Sequence, residues 1–394
     1  MKKAFFLSLA FSGLALTGCG DSSSSSPDHI DLTEYTAVIV ETDSGSEVGL
    51  ADAGNLSNIT EGYYPSAETD YFTASHDGYF WYIGKSTIDV ISKYAPSSPN
   101  ANYYGSNGYS LLDNGQTTSS NVYAMGFLSD ERAILTRYGQ TSAWIVDTDA
   151  ANADDFKVGE IDLSAYVAAD DTASPAPEMN NIAIHDNKAF IPMERLGDDQ
   201  GNKYAYARSA YVAVINTASF EEIDTDPTTD GLKGIELNIL NPRNIAAEGN
   251  DLYVQGITYG RHNSGLVKIN MDTYAQEMLY DSSVSSTEIS DVAVAGGKVF
   301  VVIYNAWKDN ALAVVNADGS LTKVDEFSDI FIEFITTGPA GNLWLGRGNK
   351  DDSASAVFRI SPADYSVLDS VETNLDPINV SFVKNSATDI NQQQ

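Results

Sequence analysis

The stretch Asn181-Ile182-Ala183-Ile184-His185-Asp186-Asn187, followed at once by Lys188-Ala189-Phe190-Ile191-Pro192-Met193, decides the fold. It reads as a short strand of small apolar residues, a polar turn, and a second strand that is apolar through its middle. The unit returns as Asn244-Ile245-Ala246-Ala247-Glu248-Gly249-Asn250 before Asp251-Leu252-Tyr253-Val254. It returns again as Asp291-Val292-Ala293-Val294-Ala295-Gly296-Gly297 before Lys298-Val299-Phe300-Val301, and as Phe334-Ile335-Thr336-Thr337-Gly338 before Asn342-Leu343-Trp344-Leu345. Third strands follow at Tyr211–Ile215, Gly265–Ile269, Ala311–Val315 and Ala356–Ile360, and two earlier copies begin near Tyr71 and Val122. A period of about 45–60 residues filled by strands points to a propeller.

These copies make six units, and Asp376-Pro377-Ile378-Asn379-Val380-Ser381-Phe382-Val383 is a seventh first strand with nothing after it. Its missing partners lie at the other end of the chain, as Thr36–Val40 and Val48–Ala51. Pairing the termini in one blade closes the ring and hides sheet edges that would otherwise template aggregation. The expectation is an all-β, seven-bladed β-propeller over residues 32–385, with eight blades or a two-domain split as the alternatives. The spacing and the Gly-Asn-Leu-Trp-type second strands (Gly341–Trp344) resemble the bacterial seven-bladed propellers of YVTN/YncE-like type. That resemblance implies architecture and no activity.

Ahead of the repeats, Met1-Lys2-Lys3-Ala4-Phe5-Phe6-Leu7 leads through an apolar run to Leu16-Thr17-Gly18-Cys19, the one cysteine of the chain. A basic start, a short apolar core and small residues before a cut site describe a secretory signal over residues 1–18. Cysteine directly after Leu-Thr-Gly resembles the lipobox of bacterial lipoproteins. The resemblance implies that Cys19 carries several acyl chains, enough for stable anchoring. Gly20 in place of an aspartate favours the outer membrane. Residues 19–31, with Ser22–Ser26 and Pro27, would be a flexible tether, and residues 386–394 a disordered tail.

The formal charge is −33, and loss of Lys2 and Lys3 with a signal peptide takes it to −35. Such a charge opposes nucleic acids and anionic lipid faces. No serine elbow, His-Glu-x-x-His, phosphate loop or dinucleotide fingerprint occurs. His76 and His185 each precede Asp in matching turns, where turn capping is the expected role. Two acidic runs, Asp147/Asp149/Asn152/Asp154/Asp155 and Asp224/Asp226/Asp230, are candidates for structural calcium, although solvated turns explain them as well.

Sorting charges by strand position gives a sharper expectation. Loops joining second to third strands share one propeller face with the connections between blades. They carry Lys85, then Arg137 and Tyr138, then Arg195, Lys203, Tyr204, Tyr206 and Arg208. Tyr259, Arg261 and His262 follow, then Tyr304, Trp307 and Lys308, then Arg347, with Arg243 on a blade connection. Six of the eight arginines thus fall on one face of a strongly acidic chain. Guanidinium forks bind oxygen anions in pairs, and aromatic rings add stacking and cation–π attraction. The competing explanation is pairing with nearby acids, including Glu194, Asp198, Asp199, Asp309, Asp351 and Asp352.

The expectation that follows is a monomeric outer-membrane binding lipoprotein for an anionic, aromatic small molecule, a ferric siderophore or haem. Propeller lipoproteins of similar architecture occur in siderophore uptake systems, which implies a TonB-dependent outer-membrane transporter as partner. A protein-interaction scaffold is the second expectation. A lyase or lactonase using metal-bound carboxylates such as Glu41, Glu178 or Glu288 is the third, so a binding protein is favoured over an enzyme.

Overall fold

The computed structural model describes residues 34–172, 175–199, 202–205, 208–351 and 353–386. The expected signal peptide, Cys19, the tether and the tail from residue 387 onward lie outside them, as does Tyr206.

Seven four-stranded antiparallel sheets form the blades of a propeller. Their first strands are Tyr71–His76, Val122–Ser129, Ala183–His185, Pro242–Glu248, Glu288–Ala295, Ile332–Thr337 and Asp376–Lys384. Each touches the first strand of the next blade, and the last touches the first, so together they wall a central channel.

The closing blade joins the two ends of the chain. Asp376–Lys384 pairs with Tyr35–Thr42 (Ile39 opposite Val380), which pairs with Ser46–Asp52 (Val38 opposite Leu50). Ala37, Val38, Ile39 and Val40 have no solvent exposure. An N-terminal strand with four consecutive buried apolar residues needs neighbours on both faces, and the two adjacent blades supply them. The outermost strand of this blade, Asn55–Ser66, was not legible as a strand. It is largely exposed, carries Pro65, and pairs with repeated register shifts, which an edge strand tolerates. On two other blades the outer edge is blunted by brevity: Tyr109–Ser110 and Ile235–Glu236 are two residues each.

The core lies between blades rather than in one central mass. Trp344 is 1% exposed and sits with Ile39, Val357 and Val380, its ring edge-on to Phe382 at 4.9 Å. Val299 and Phe358 are only partly buried. Tight turns set the strand register; Gly296 and Gly297, both at positive φ, make the type of hairpin turn whose twist matches the strands. A small additional hairpin, Gly197–Asp199 with Asn202–Ala205, decorates the blade that begins with Ala183–His185 and carries Tyr204.

Candidate functional site

The motif that sets the repeat also builds the channel wall. The Asn or Asp opening each Asn-Ile-Ala-type strand falls in the same slot, as Asn181, Asn244, Asp291 and Asn379, and all four line the channel. Three of them reach across to the backbone of the next blade. Asn244 Nδ2 donates to the Ser290 carbonyl at 2.9 Å, Asp291 Oδ2 accepts from Ile335 N–H at 2.9 Å, and Asn379 Oδ1 accepts from Thr73 N–H at 2.8 Å. A carboxylate or carboxamide there bridges neighbouring first strands, which touch but belong to different sheets. Their inward backbone groups would otherwise lack partners.

Two adjoining cavities of about 510 and 480 Å3 share Asn181, Asn244 and Asn379. Their walls differ in charge. One holds Asp291 and Glu333, the other Lys85, Tyr123 and Arg243. Burial raises the Asp291 carboxyl to about 7 despite two backbone amides, from Ile335 and Val292, that favour its charged form. Glu333 also rises to about 7, first through burial and then through Asp376, against the pull of Lys308.

At the mouth, Arg243 begins its strand beside the fully buried Glu194, with Nη1 3.5 Å from Oε1. Glu194 also accepts from Asn180 Nδ2 at 3.0 Å and from the Tyr138 hydroxyl at 3.1 Å. Burial pushes Glu194 up, opposed by Arg243, Asn180 and Tyr138. Burial disfavours the charge on Arg243, but Glu194 and the surrounding tyrosines Tyr259, Tyr123 and Tyr138 more than offset it and hold its pKa above the ordinary range. Tyr123 stacks on Tyr138 at 4.7 Å, and the Lys85 ammonium lies 4.9 Å from the Tyr123 ring centre. Tyr259 is half exposed and edge-on to Tyr304. Its loop is held from below by buried Glu288, which accepts from Thr258 N–H and hydroxyl at 3.0 and 2.9 Å and from Gly260 N–H.

Other predicted rim residues are committed elsewhere. Arg137 is 1% exposed and lies inside its blade. Its guanidinium donates to Asp113, Gln116 and Ser120 and covers the Trp144 ring at 4.4 Å. Arg195 donates to the carbonyls of Tyr166 and Ser209 and covers Tyr211. Arg208 pairs with Asp170. Arg347 donates twice to the Ala354 carbonyl and covers Phe358. Lys308 donates to the Asn349 carbonyl and lies over Phe331. Trp307 is 74% exposed beside Phe331, Arg261 is exposed, and His262 is half-buried. The six-arginine ring therefore contracts. The structure gathers Tyr138, Arg243, Tyr259 and Tyr304 at the channel mouth with Lys85, itself paired with Asp70 at 2.7 Å, while Arg137 and Arg195 serve the scaffold.

The sequence did not single out Tyr123, Asn180, Asp291 or Glu333, and it offered Glu194 only as one of several acidic partners for the arginines, a pairing that the structure makes with Arg243. Asp291 had a usable signal, its slot in the repeat; the burial of Glu194 had none, because it depends on Asn180, Tyr138 and Arg243 arriving from three other segments.

His76 reaches out of its own turn. It hydrogen-bonds Asp130 at 3.0 Å and stacks on Phe127, both in the next blade. The acidic runs organise turns: Asn152 caps the helix Ala153–Phe156, and Asp226 accepts from Thr228 and Thr229. Among the described residues, three acidic or histidine ligand atoms lie within 4.8 Å of one another in two places, His185/Asp186/Asp272 and Glu41/Glu47/Glu61. The Lys188 ammonium, 3.5 Å from Asp272, competes with a cation at the first. Glu178, like Glu288, is buried as a loop anchor, accepting from Leu196 N–H at 2.8 Å.

No protein-family model matches the chain, and no curated protein matches its sequence. Solved structures match its fold. The periplasmic gluconolactonase PpgL of Pseudomonas aeruginosa is 13% identical, with a TM-score of 0.56 over 89% of this chain and 99% of that one. A putative 6-phosphogluconolactonase of Bacteroides fragilis is 12% identical, with a TM-score of 0.53 over 89% and 98%. The hydrazine synthase of Kuenenia stuttgartiensis is 12% identical, with a TM-score of 0.53 over 80% and 95%. At these identities the likeness establishes the seven-bladed propeller fold and nothing about chemistry.

Proposed function

We propose that this chain is a ligand-capturing propeller, held at the outer membrane by lipid on Cys19, that receives a small anionic molecule bearing an aromatic ring at the channel mouth. One observation carries the reading. Arg243 stands at the channel mouth among Tyr123, Tyr138 and Tyr259, with Lys85 on the same wall, in a chain whose net charge is −33. An anion approaching it meets a fixed guanidinium whose partner carboxyl is buried out of reach. Stacking on an exposed ring such as Tyr259 adds about 0.5–2 kcal/mol. Ferric catecholates and haem have this chemistry, and a TonB-dependent transporter would take the cargo onward. Titration of the purified protein with a ferric catecholate and with haem, followed by tyrosine and tryptophan fluorescence, tests it. Saturable one-to-one binding of either is expected; no saturable binding of both overturns it.

A lactonase or lyase is the second reading, favoured by one feature. Asp291 and Glu333 line the channel with carboxyls raised to about 7, the range in which a group can both give and take a proton at neutral pH. Hydrolysis of simple lactones that is lost in Asp291→Asn but kept in Arg243→Ala would favour this reading over ligand capture.

A further inference from the structure

Glu41, Glu47 and Glu61 stand on three successive strands of the closing blade, away from the residues that line the channel. Glu41 and Glu47 face each other in register across the hairpin, and Glu61 comes from the outer strand. One ligand oxygen from each lies within 4.8 Å of the other two. Glu41 has no solvent exposure, and its Oε1 has no hydrogen-bond donor. Gly49 lets that oxygen approach the backbone, since a Cβ there would lie 2.6 Å from it and 2.5 Å from Ile59 Cδ1.

The remaining oxygens hold the segment that leads into the C-terminal strand. Glu41 Oε2 accepts from Leu375 N–H at 3.3 Å, Glu61 Oε1 from Asn374 N–H at 2.7 Å, and Glu47 Oε1 from Asn374 Nδ2 at 3.5 Å. Three carboxylates therefore converge on the seam where the two ends of the chain close the ring. An isolated buried carboxylate is costly, and two more at its side increase the cost. Burial first, and then Glu61, drives the Glu41 carboxyl up to about 9. Only a proton or a cation relieves such a cluster. Oxygen-only donors, several of them charged, suit a hard divalent ion rather than a thiophilic one.

We infer that Glu41, Glu47 and Glu61 form a calcium-type cation site that fastens the N-terminal strands to the C-terminal strand. The ion would contact the three glutamates and leave Asn374 and Leu375 bound to their other oxygens, so that cation binding and ring closure stabilise each other.

The test uses the full chain stripped of divalent ions with a chelator, then titrated with CaCl2 by calorimetry and melted with and without calcium. One calcium should bind per site, and its addition should raise the melting temperature. Glu61→Gln and Glu47→Gln, both at partly exposed positions, keep the fold testable if Glu41→Gln fails to fold. Each should weaken calcium binding at least tenfold. Because each also removes repulsion from an empty cluster, each should melt higher than wild type without calcium and lower with it. That crossing is the signature. Calcium binding unchanged in both variants would overturn the assignment, as would absence of calcium-dependent stabilisation in the wild type. A variant melting above wild type in both conditions would place a shared proton in the cluster instead.

Discussion

Arg137 and Arg243 were read from the sequence as equivalent members of one basic rim, and the structure turns them into opposites. At Arg137 the cation is buried and its partner Asp113 is 40% exposed. At Arg243 the carboxylate of Glu194 is buried and the cation is 34% exposed. Each ion pair shows the solvent only its outer member. In the first pair the outer carboxylate is capped in turn by the Lys157 ammonium at 2.6 Å, so Arg137 contributes no positive charge to the surface, whereas the second presents a positive charge at the channel mouth. Counting charges on a face says little until burial decides which partner of each pair faces outward.

The largest expected effect belongs to the inward arginine. Arg137→Ala strips the Trp144 face and removes one buried donor each from Ser120, Gln116 and Asp113, which should cost about 3 kcal/mol of stability in a denaturant melt. Ligand capture by the folded fraction should stay intact. Unchanged stability would show that the side chain is not enclosed as described.

Glu194→Gln sharpens the outward case. It keeps the size of the buried partner and removes its charge, leaving Arg243 unopposed. Affinity for an anionic ligand should rise by a few-fold, on the order of 0.5–1 kcal/mol, with the gain shrinking as salt is added. Weaker binding would mean that Glu194 itself contacts the ligand.

Asp291 supplies a pH test within the channel. Its pKa is raised in the folded protein, so the folded state holds the proton more firmly than the unfolded chain does. Its contribution is most favourable below the unfolded value near 4 and is lost as pH rises through about 7. In Asp291→Asn the melting temperature should fall less steeply between pH 4 and 7 than in wild type. Parallel profiles would show that Asp291 is solvated. The smallest effect is expected at Arg347, whose guanidinium hydrogen-bonds the Ala354 carbonyl of its own loop and lies over the partly buried Phe358. Replacing it by alanine should change stability and capture by no more than about 0.5 kcal/mol.

These contrasts mark what a sequence of this kind reveals. The Asn-Ile-Ala and Asp-Val-Ala strands showed the blades because strand alternation and turn chemistry are local and repeat. The closure was legible for the same reason: Asp376–Lys384 is a first strand lacking companions, and Tyr35–Thr42 with Ser46–Asp52 are companions lacking a first strand. Asn55–Ser66 escaped notice because an exposed edge strand needs no apolar pattern. The rim residues were expected in loops, but Arg137, Tyr304 and Arg347 lie at or near the ends of strands, and which acid meets which arginine was not legible. Arg137 is closed in by Asp113, Gln116 and Ser120, whose segment folds back against the strand that ends in Arg137. Nothing periodic in that segment announces such a path. Glu194 is hidden for the same physical reason, since its burial is a tertiary fact.

The central claim is that the outward charge of Arg243 captures the ligand. Its most direct measurement is the affinity of a ferric catecholate for wild type, Arg243→Ala and Arg347→Ala at low and high salt, with melting temperatures recorded alongside. Losing one charge-assisted contact should weaken binding by about 1.5–3 kcal/mol, tenfold or more, in Arg243→Ala at low salt. The gap should narrow at high salt, with Arg347→Ala binding like wild type and all three proteins melting within a few degrees of one another. Equal affinity in wild type and Arg243→Ala, with both folded, would contradict the claim and move the binding site away from the channel mouth.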